Sequence, residues 1–212
     1  GPRSPTISRV SCSFDREEWN RRYADRELLW TAQPNRFLVA EVEGLSPGRA
    51  LDVACGEGRN AVWLAERGWE VTAVDFSDVA LRKARLLADS RGVAVKWVHA
   101  DLTEYTPEPR AFELVIVLYL QLPQPSRGEV LRATAEAVAA GGTLVVVAHD
   151  SRNLEGGYGG PKGPDVLYTA DDVAADLDGS GLAIEKAELA ERNVETPEGE
   201  RIALDALLRA RR

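Results

Sequence analysis

Asp75 and Asp101 each stand where an apolar stretch gives way to a polar one, and Asp52 stands just before the glycine-rich turn Ala54-Cys55-Gly56-Glu57-Gly58. Glycines in a turn let a ligand approach the backbone, and the next helix offers free N–H groups at its start. A carboxylate at the end of the second strand can accept both hydroxyls of a ribose; Asp75 has that position. Asp101 stands where an acceptor can take the exocyclic amine of an adenine, with Phe76 and Leu102 flanking the ring. Asp52, beside the turn, can orient an ammonium through water. The turn is not a pyrophosphate cradle, because Ala61 occupies the third glycine position of the G-x-G-x-x-G pattern.

A second group of residues suits proton transfer and acceptor binding. The histidines are His99 and His149. His149 follows Val145-Val146-Val147-Ala148 and ends a strand, at the edge where ligands bind in such sheets. An imidazole there can act as a general base near neutral pH, oriented by Asp150 or another carboxylate. His99 reads as structural. Tyr119, after another apolar strand, can meet the acceptor or attract a cationic centre through its ring; packing under the next helix is the other reading. Asn60 and Arg59 open the first core helix and suit the cofactor's carboxylate or the acceptor. Tyr23, Trp30 and Arg36 precede the core, and Tyr158 sits in a glycine-rich loop; these are the remaining acceptor-side candidates, with plain packing as their alternative.

These residues need strand ends to hold them, and the pattern supplies them. Phe14 to Leu29 reads as a helix, and Pro34 falls in the first turn of another. Strands follow at 49–54, 70–74, 93–98, 112–118 and 143–148, alternating with helices at 59–67, 78–91 and 127–140, the last stopped by Gly141-Gly142. The unbroken apolar run from Phe112 to Leu118 is that of a central parallel strand covered on both faces. The loop from Asp150 to Tyr168 is rich in Gly and Pro and suits a gate. Thr169 caps a short helix, and two strands joined at Pro197-Glu198-Gly199 close the chain as a hairpin. The expected fold is α/β, a doubly wound, mostly parallel seven-stranded sheet with an antiparallel C-terminal hairpin strand. Residues 1–13 are expected to be mobile, and 14–212 to form one domain, a helical cap or lid over 14–46 and a core over 49–212.

Composition narrows the partners. Lys and Arg total 26 against 34 Asp and Glu, a formal charge of -8, which disfavours nucleic acid and anionic lipid as partners. Two cysteines make no disulfide framework, and no Cys/His cluster has metal-ligand spacing. No apolar run is long enough for a membrane span and no signal-peptide core is present, so a cytoplasmic location is expected. Gly1-Pro2 reads as a tag scar. Abundant Ala and a preference for Arg over Lys fit a GC-rich bacterial genome. Dimerisation through the N-terminal helix is one possibility for assembly.

The motifs resemble those of class I S-adenosylmethionine (SAM)-dependent methyltransferases. Asp52-Val-Ala-Cys-Gly56-Glu-Gly58 is similar to their glycine-rich first motif, Asp75 to the acidic second and Asp101-Leu102 to the third; Ala54 departs where many members carry glycine. The run Cys55-Gly-Glu-Gly-Arg-Asn-Ala resembles a small bacterial subgroup with tellurite-resistance, thiopurine-type and small-molecule or sugar O-methyltransferases. The resemblance implies SAM as cofactor, a segment after the fourth strand facing the transferring methyl, and an N-terminal lid. It points to methylation of a hydroxyl on a small polar acceptor, such as a sugar, with His149 as base. Detoxification of tellurite, selenite or thiols is the alternative, ahead of RNA methylation or a SAM-binding module without catalysis.

Overall fold

The computed structural model describes residues 16–24 and 32–212. Seven strands form one sheet: β1 (Arg49–Val53), β2 (Glu70–Asp75), β3 (Lys96–His99), β4 (Phe112–Leu118), β5 (Val138–His149), β6 (Ala183–Thr196) and β7 (Gly199–Arg211), in the spatial order β3-β2-β1-β4-β5-β7-β6. The first five run parallel, and β7 runs antiparallel to both β5 and β6. The helices are α1 (Arg16–Ala24), α2 (Arg36–Val42), α3 (Arg59–Glu66), α4 (Asp78–Arg91), α5 (Ser126–Glu136) and α6 (Ala170–Asp176). This is the doubly wound sheet expected. The order reverses between β1 and β4, which opens a crevice at the carboxyl ends of those strands.

Strand side chains alternate between two apolar layers. Leu51, Val115, Val117, Leu144 and Val146 pack with Leu131, Val173 and Tyr168 on the side of α5 and α6. Leu114, Ile116, Val145 and Val147 pack with Leu38, Trp63, Leu64 and Leu81 on the side of α2, α3 and α4. Burial on both faces explains why β4 and β5 read as continuous apolar runs.

Local chemistry sets the boundaries, with three departures from expectation. Asn35 caps α2, its side chain accepting from the Phe37 and Leu38 N–H groups, so Pro34 lies before the cap and not in the first turn. The third strand is confined to Lys96–His99, which leaves Asp101 in the loop beyond it. The fifth helix ends at Glu136 and not at Ala140. There the Arg212 guanidinium donates to the Ala135 and Val138 carbonyls (2.6 and 2.7 Å), taking up acceptors left free at a helix end. Val138 is fully buried opposite Phe112 and starts the strand, so Gly141-Gly142 lies inside β5, at an irregular register with β4. The expected mobile N-terminus and the rest of the first predicted helix lie outside the described residues.

Two attachments bring outlying elements over the crevice. Asn20 of α1 donates to Asp78 (2.9 Å) and accepts from Ser77 (2.6 Å), and the Lys83 ammonium bonds the Tyr23 carbonyl, which holds α1 against the start of α4. Glu41 of α2 accepts from Lys186 (2.6 Å) and Arg209 (3.3 Å) of the hairpin. The β6–β7 ladder continues past the end of β5 at His149 as far as Thr196 and Gly199, so Arg192, Asn193 and Val194 reach the crevice.

Candidate active site

The turn after β1 begins with Ala54 in the left-handed region, φ 63°. That conformation costs a residue with a Cβ about 1 kcal/mol and explains the advantage of glycine there. The methyl group does not close the crevice, since Ala54 lines it. Gly56 and Gly58 do different jobs. A Cβ on Gly56 would point at the Tyr23 hydroxyl, 3.0 Å away, so this glycine keeps open the space between the turn and α1. A Cβ on Gly58 would meet Trp97 at 2.7 Å and Ala84 at 2.8 Å, so this one permits close packing of α3 on its neighbours.

Asp75 accepts the Gly56 N–H on one oxygen and the Ser77 N–H on the other, each at 2.9 Å. Burial raises its pKa, against the pull of those amides. It shares one hollow with Phe76, Asp101 and Leu102. Asp101 is exposed and accepts from the Thr103 N–H and hydroxyl (2.9 and 2.7 Å). Asp52 lies deeper, 1% exposed, and its Oδ2 is buried with no hydrogen-bond partner. Burial and then the nearby Asp75 charge push its pKa well up. An acceptor left unpaired at such cost, beside a turn cleared of side chains, fits a cofactor that presents an ammonium. Asn60 is buried and accepts the Asn35 N–H (2.8 Å), tying α2 to the start of α3, and it lines the crevice next to the turn. Arg59 also lines it, half-buried, with the Gln33 carbonyl 3.4 Å from one guanidinium nitrogen.

On the other side of Tyr119 the crevice changes character. Tyr119 has φ 58° and is held there by its N–H to the Val147 carbonyl (2.7 Å), by its hydroxyl donating to Asp205 (2.7 Å) and by Asn35 donating to that hydroxyl (3.0 Å). Strain of this kind gathers at functional sites. Burial, then the Asp205 charge, raises the phenol pKa well above its ordinary value. The His149 ring lies 4.6 Å from the Tyr119 ring, centroid to centroid. Burial pushes the imidazole down to about 4, with Asp205 opposing and Arg192 assisting, so it is neutral at physiological pH.

The carboxylate facing His149 is Asp205, not Asp150. Asp150 caps the short helical turn Ser151–Leu154 and accepts from Nε and one terminal nitrogen of Arg152 (2.8 and 2.7 Å). Asp205 stands directly across the ladder from His149 and is fully buried, with its Oδ1 4.0 Å from Nδ1. Its other oxygen accepts from Arg192 Nε (3.0 Å) as well as Tyr119. Asp205 and Arg192 were invisible to motif reasoning. The available signal was a carboxylate inside the apolar run Ile202-Ala203-Leu204-Asp205-Ala206-Leu207-Leu208. Trp19 of α1 was also missed, and it lines the whole length of the crevice.

Of the other acceptor-side candidates, Tyr23 lies over the turn and Arg36 lines the crevice beside it. Tyr158 is exposed on the outer rim, in a loop whose Gly160 abuts His149 so closely that a Cβ would stand 3.0 Å from Nδ1. Trp30 lies outside the described residues. His99 bonds the Phe76 carbonyl through Nε2 (2.9 Å), a structural tie. Among the described residues no group of His, Cys, Asp and Glu side chains is arranged to hold a metal, and no helix is long and apolar enough to cross a membrane.

Fold and site together fit the class I SAM-dependent methyltransferases, whose cofactor is S-adenosylmethionine. Residues 50–142 match the family model described as a methyltransferase domain. The chain is 38% identical over 104 residues to the ubiquinone biosynthesis O-methyltransferase of Alkalilimnicola ehrlichii, covering 48% of this chain and 42% of that protein. It is 29% identical over 133 residues to the 2-heptyl-1-hydroxyquinolin-4(1H)-one methyltransferase of Mycobacteroides abscessus, covering 61% and 59%. The chain thus spans about half the length of the curated relatives it matches. Among solved structures, TehB of Haemophilus influenzae superposes with a TM-score of 0.71 at 15% identity, over 93% of this chain and 66% of that one, a likeness of fold alone.

Proposed function

We propose that this protein methylates a hydroxyl of a small polar molecule, with SAM as donor and His149 as general base. The observation that carries the reading is the His149–Asp205 pair, set across β5 and β7 at the wall of the crevice that also holds the Asp75 turn. Asp75 would take the ribose hydroxyls, Asp101, Phe76 and Leu102 the adenine, and Asp52 and Asn60, with Ala54, Gly56 and Gly58 shaping the turn, the amino-acid end. SAM supplies a methyl group on a positively charged sulfur.

The remaining work falls to the chain. Neutral His149 takes the hydroxyl proton on Nε2 as the oxygen–carbon bond forms, and the carbon–sulfur bond breaks to leave a neutral thioether. Asp205 orients the ring through Nδ1 and stabilises the imidazolium, after closing the 4.0 Å gap; such bonds are often long before substrate is seated. The Tyr119 ring lies beside His149 and lines the cofactor side too, where its face can attract the sulfonium. Tyr23 and Arg36 would form a lid that excludes water, and Arg59 and Tyr158 would complete the walls. An imidazole held near 4 is a weak base, which favours an acidic hydroxyl over an ordinary alcohol. Relatives named as O-methyltransferases support oxygen as the acceptor atom.

The test is transfer of labelled methyl from SAM into a fractionated extract of small molecules and saccharides, with tellurite and thiols as parallel acceptors. Label in a hydroxylated product, lost in His149→Ala while SAM affinity is kept, is expected. Label only on the chalcogen or thiol, indifferent to that change, would replace the reading with detoxification.

A further inference from the structure

The two ends of the crevice carry opposite charge. Among the described residues, the hollow around Asp75 is lined by Asp75 and Asp101 and by no Lys or Arg. The adjoining hollows around His149 are lined by Arg22, Lys162 and Arg192 on the outer side and by Arg36 and Arg59 towards the turn. Among the described residues no Asp or Glu lines the outer hollow. Glu57 alone does so on the inner one, and it is buried in a 3.5 Å ion pair with Lys83. Among the described residues, Arg36, Arg59 and Lys162 have no carboxylate at ion-pair distance. Burial and the neighbouring Arg192 charge both work against the Arg59 guanidinium. Arg22 and Arg192 already face carboxylates, Glu18 at 3.3 Å and Asp205 at 3.0 Å, so in a chain of net charge -8 it is Lys162, Arg36 and Arg59 whose charge is left to be offset.

We propose that the methyl acceptor is an organic anion, a hydroxylated small molecule that also carries a carboxylate or a phosphate, held by Arg192 and Lys162 with its hydroxyl towards His149. Arg59 and Arg36, nearer the turn, answer the cofactor's own carboxylate. Arg192 is suited to the task. Asp205 takes its Nε, which fixes the fork while the side chain still lines both hollows around His149. Lys162 sits on the glycine-rich loop that already abuts His149, so an anion bound between the two would hold that loop in place against the imidazole. This deepens the hydroxyl-methylation reading and rests on it for the choice of reacting atom.

The experiment uses matched pairs that differ only in charge: 3,4-dihydroxybenzoate against catechol, and glucose 6-phosphate against glucose. Each is titrated into the protein saturated with S-adenosylhomocysteine, so that the cofactor's carboxylate site is already filled, and each is then assayed for methyl transfer from SAM. At least one anion is expected to bind about tenfold tighter than its neutral partner, the scale of one hydrogen-bonded charge pair. That preference should shrink in Lys162→Ala and in Arg192→Gln, and with added salt. The carboxylate and phosphate arms show which anion is preferred. Equal binding within both pairs, or no binding by either anion, overturns the proposal, even if neutral hydroxyls are methylated. Anion preference without label on any hydroxyl leaves the anion site standing and removes the O-methylation reading instead.

Discussion

Asp52 sets the cost of a buried, unpartnered carboxylate against its proposed role in holding the cofactor's ammonium. Its buried, unpartnered Oδ2 and its raised pKa mean that the fold carries it at a loss. Replacing the carboxylate with a neutral amide removes the repulsion from Asp75. Asp52→Asn is therefore expected to unfold at higher urea concentration while binding SAM about tenfold more weakly, the scale of a lost charged hydrogen bond; a weaker fold with unchanged SAM affinity would exclude the ammonium role. Gly58 makes the opposite point. With φ 82° and Trp97 and Ala84 both inside 3.0 Å of a Cβ, Gly58→Ala should cost about 2 kcal/mol or more in urea unfolding, from backbone strain and overpacking together. At this scale the sequence was informative where a residue's role depends on near neighbours. Asp75 and His149 are legible because an apolar run and its polar terminus are adjacent in the chain. Asp205 is not, because its meaning comes from the register that sets it opposite His149 across antiparallel strands.

The loop between β5 and α6 joins the acceptor side to its surroundings. Gly160, at φ 77°, lets the backbone pass against the imidazole, and no other residue type fits that approach without moving the loop or the ring. Gly160→Ala should lower kcat/KM for the acceptor by about tenfold or more, as expected when a reacting group is shifted by a fraction of an ångström, with SAM affinity unchanged. If turnover is also unchanged, the contact with His149 has no bearing on its chemistry. The start of β5 shows why element boundaries were harder to read than elements. Val138-Ala139-Ala140 continues an apolar helical pattern, but the helix ends where the N–H groups of Arg110, Ala111 and Phe112 donate to the Glu136 and Ala137 carbonyls and the Arg212 guanidinium, from the far end of the chain, donates to those of Ala135 and Val138. The hairpin was legible as two strands and a turn, but not its overhang past β5, which carries Arg192 to the site.

The charge distribution of the whole molecule predicts how its stability responds to acid. His149 is held neutral by burial, with a pKa near 4 in the folded state against about 6.5 when free. Between those values the unfolded chain binds a proton that the folded chain does not. The stability it confers is therefore complete above about pH 6.5 and is lost progressively as pH falls towards 4. Asp52 and Asp75 act in the other direction. Their folded pKa values are raised, so the folded chain binds the extra proton and their contribution declines as pH rises above the free carboxylate range. The two effects partly cancel in the intact protein, so the profile of the wild type alone does not separate them; the difference between it and His149→Gln does. Urea unfolding of both, at intervals from pH 7 to pH 4, should show the wild type losing stability faster on acidification, with a slope difference approaching about one proton. Parallel profiles would mean that the folded and unfolded chains bind the same proton, so that the imidazole keeps its ordinary pKa of about 6.5 and burial does not hold it down.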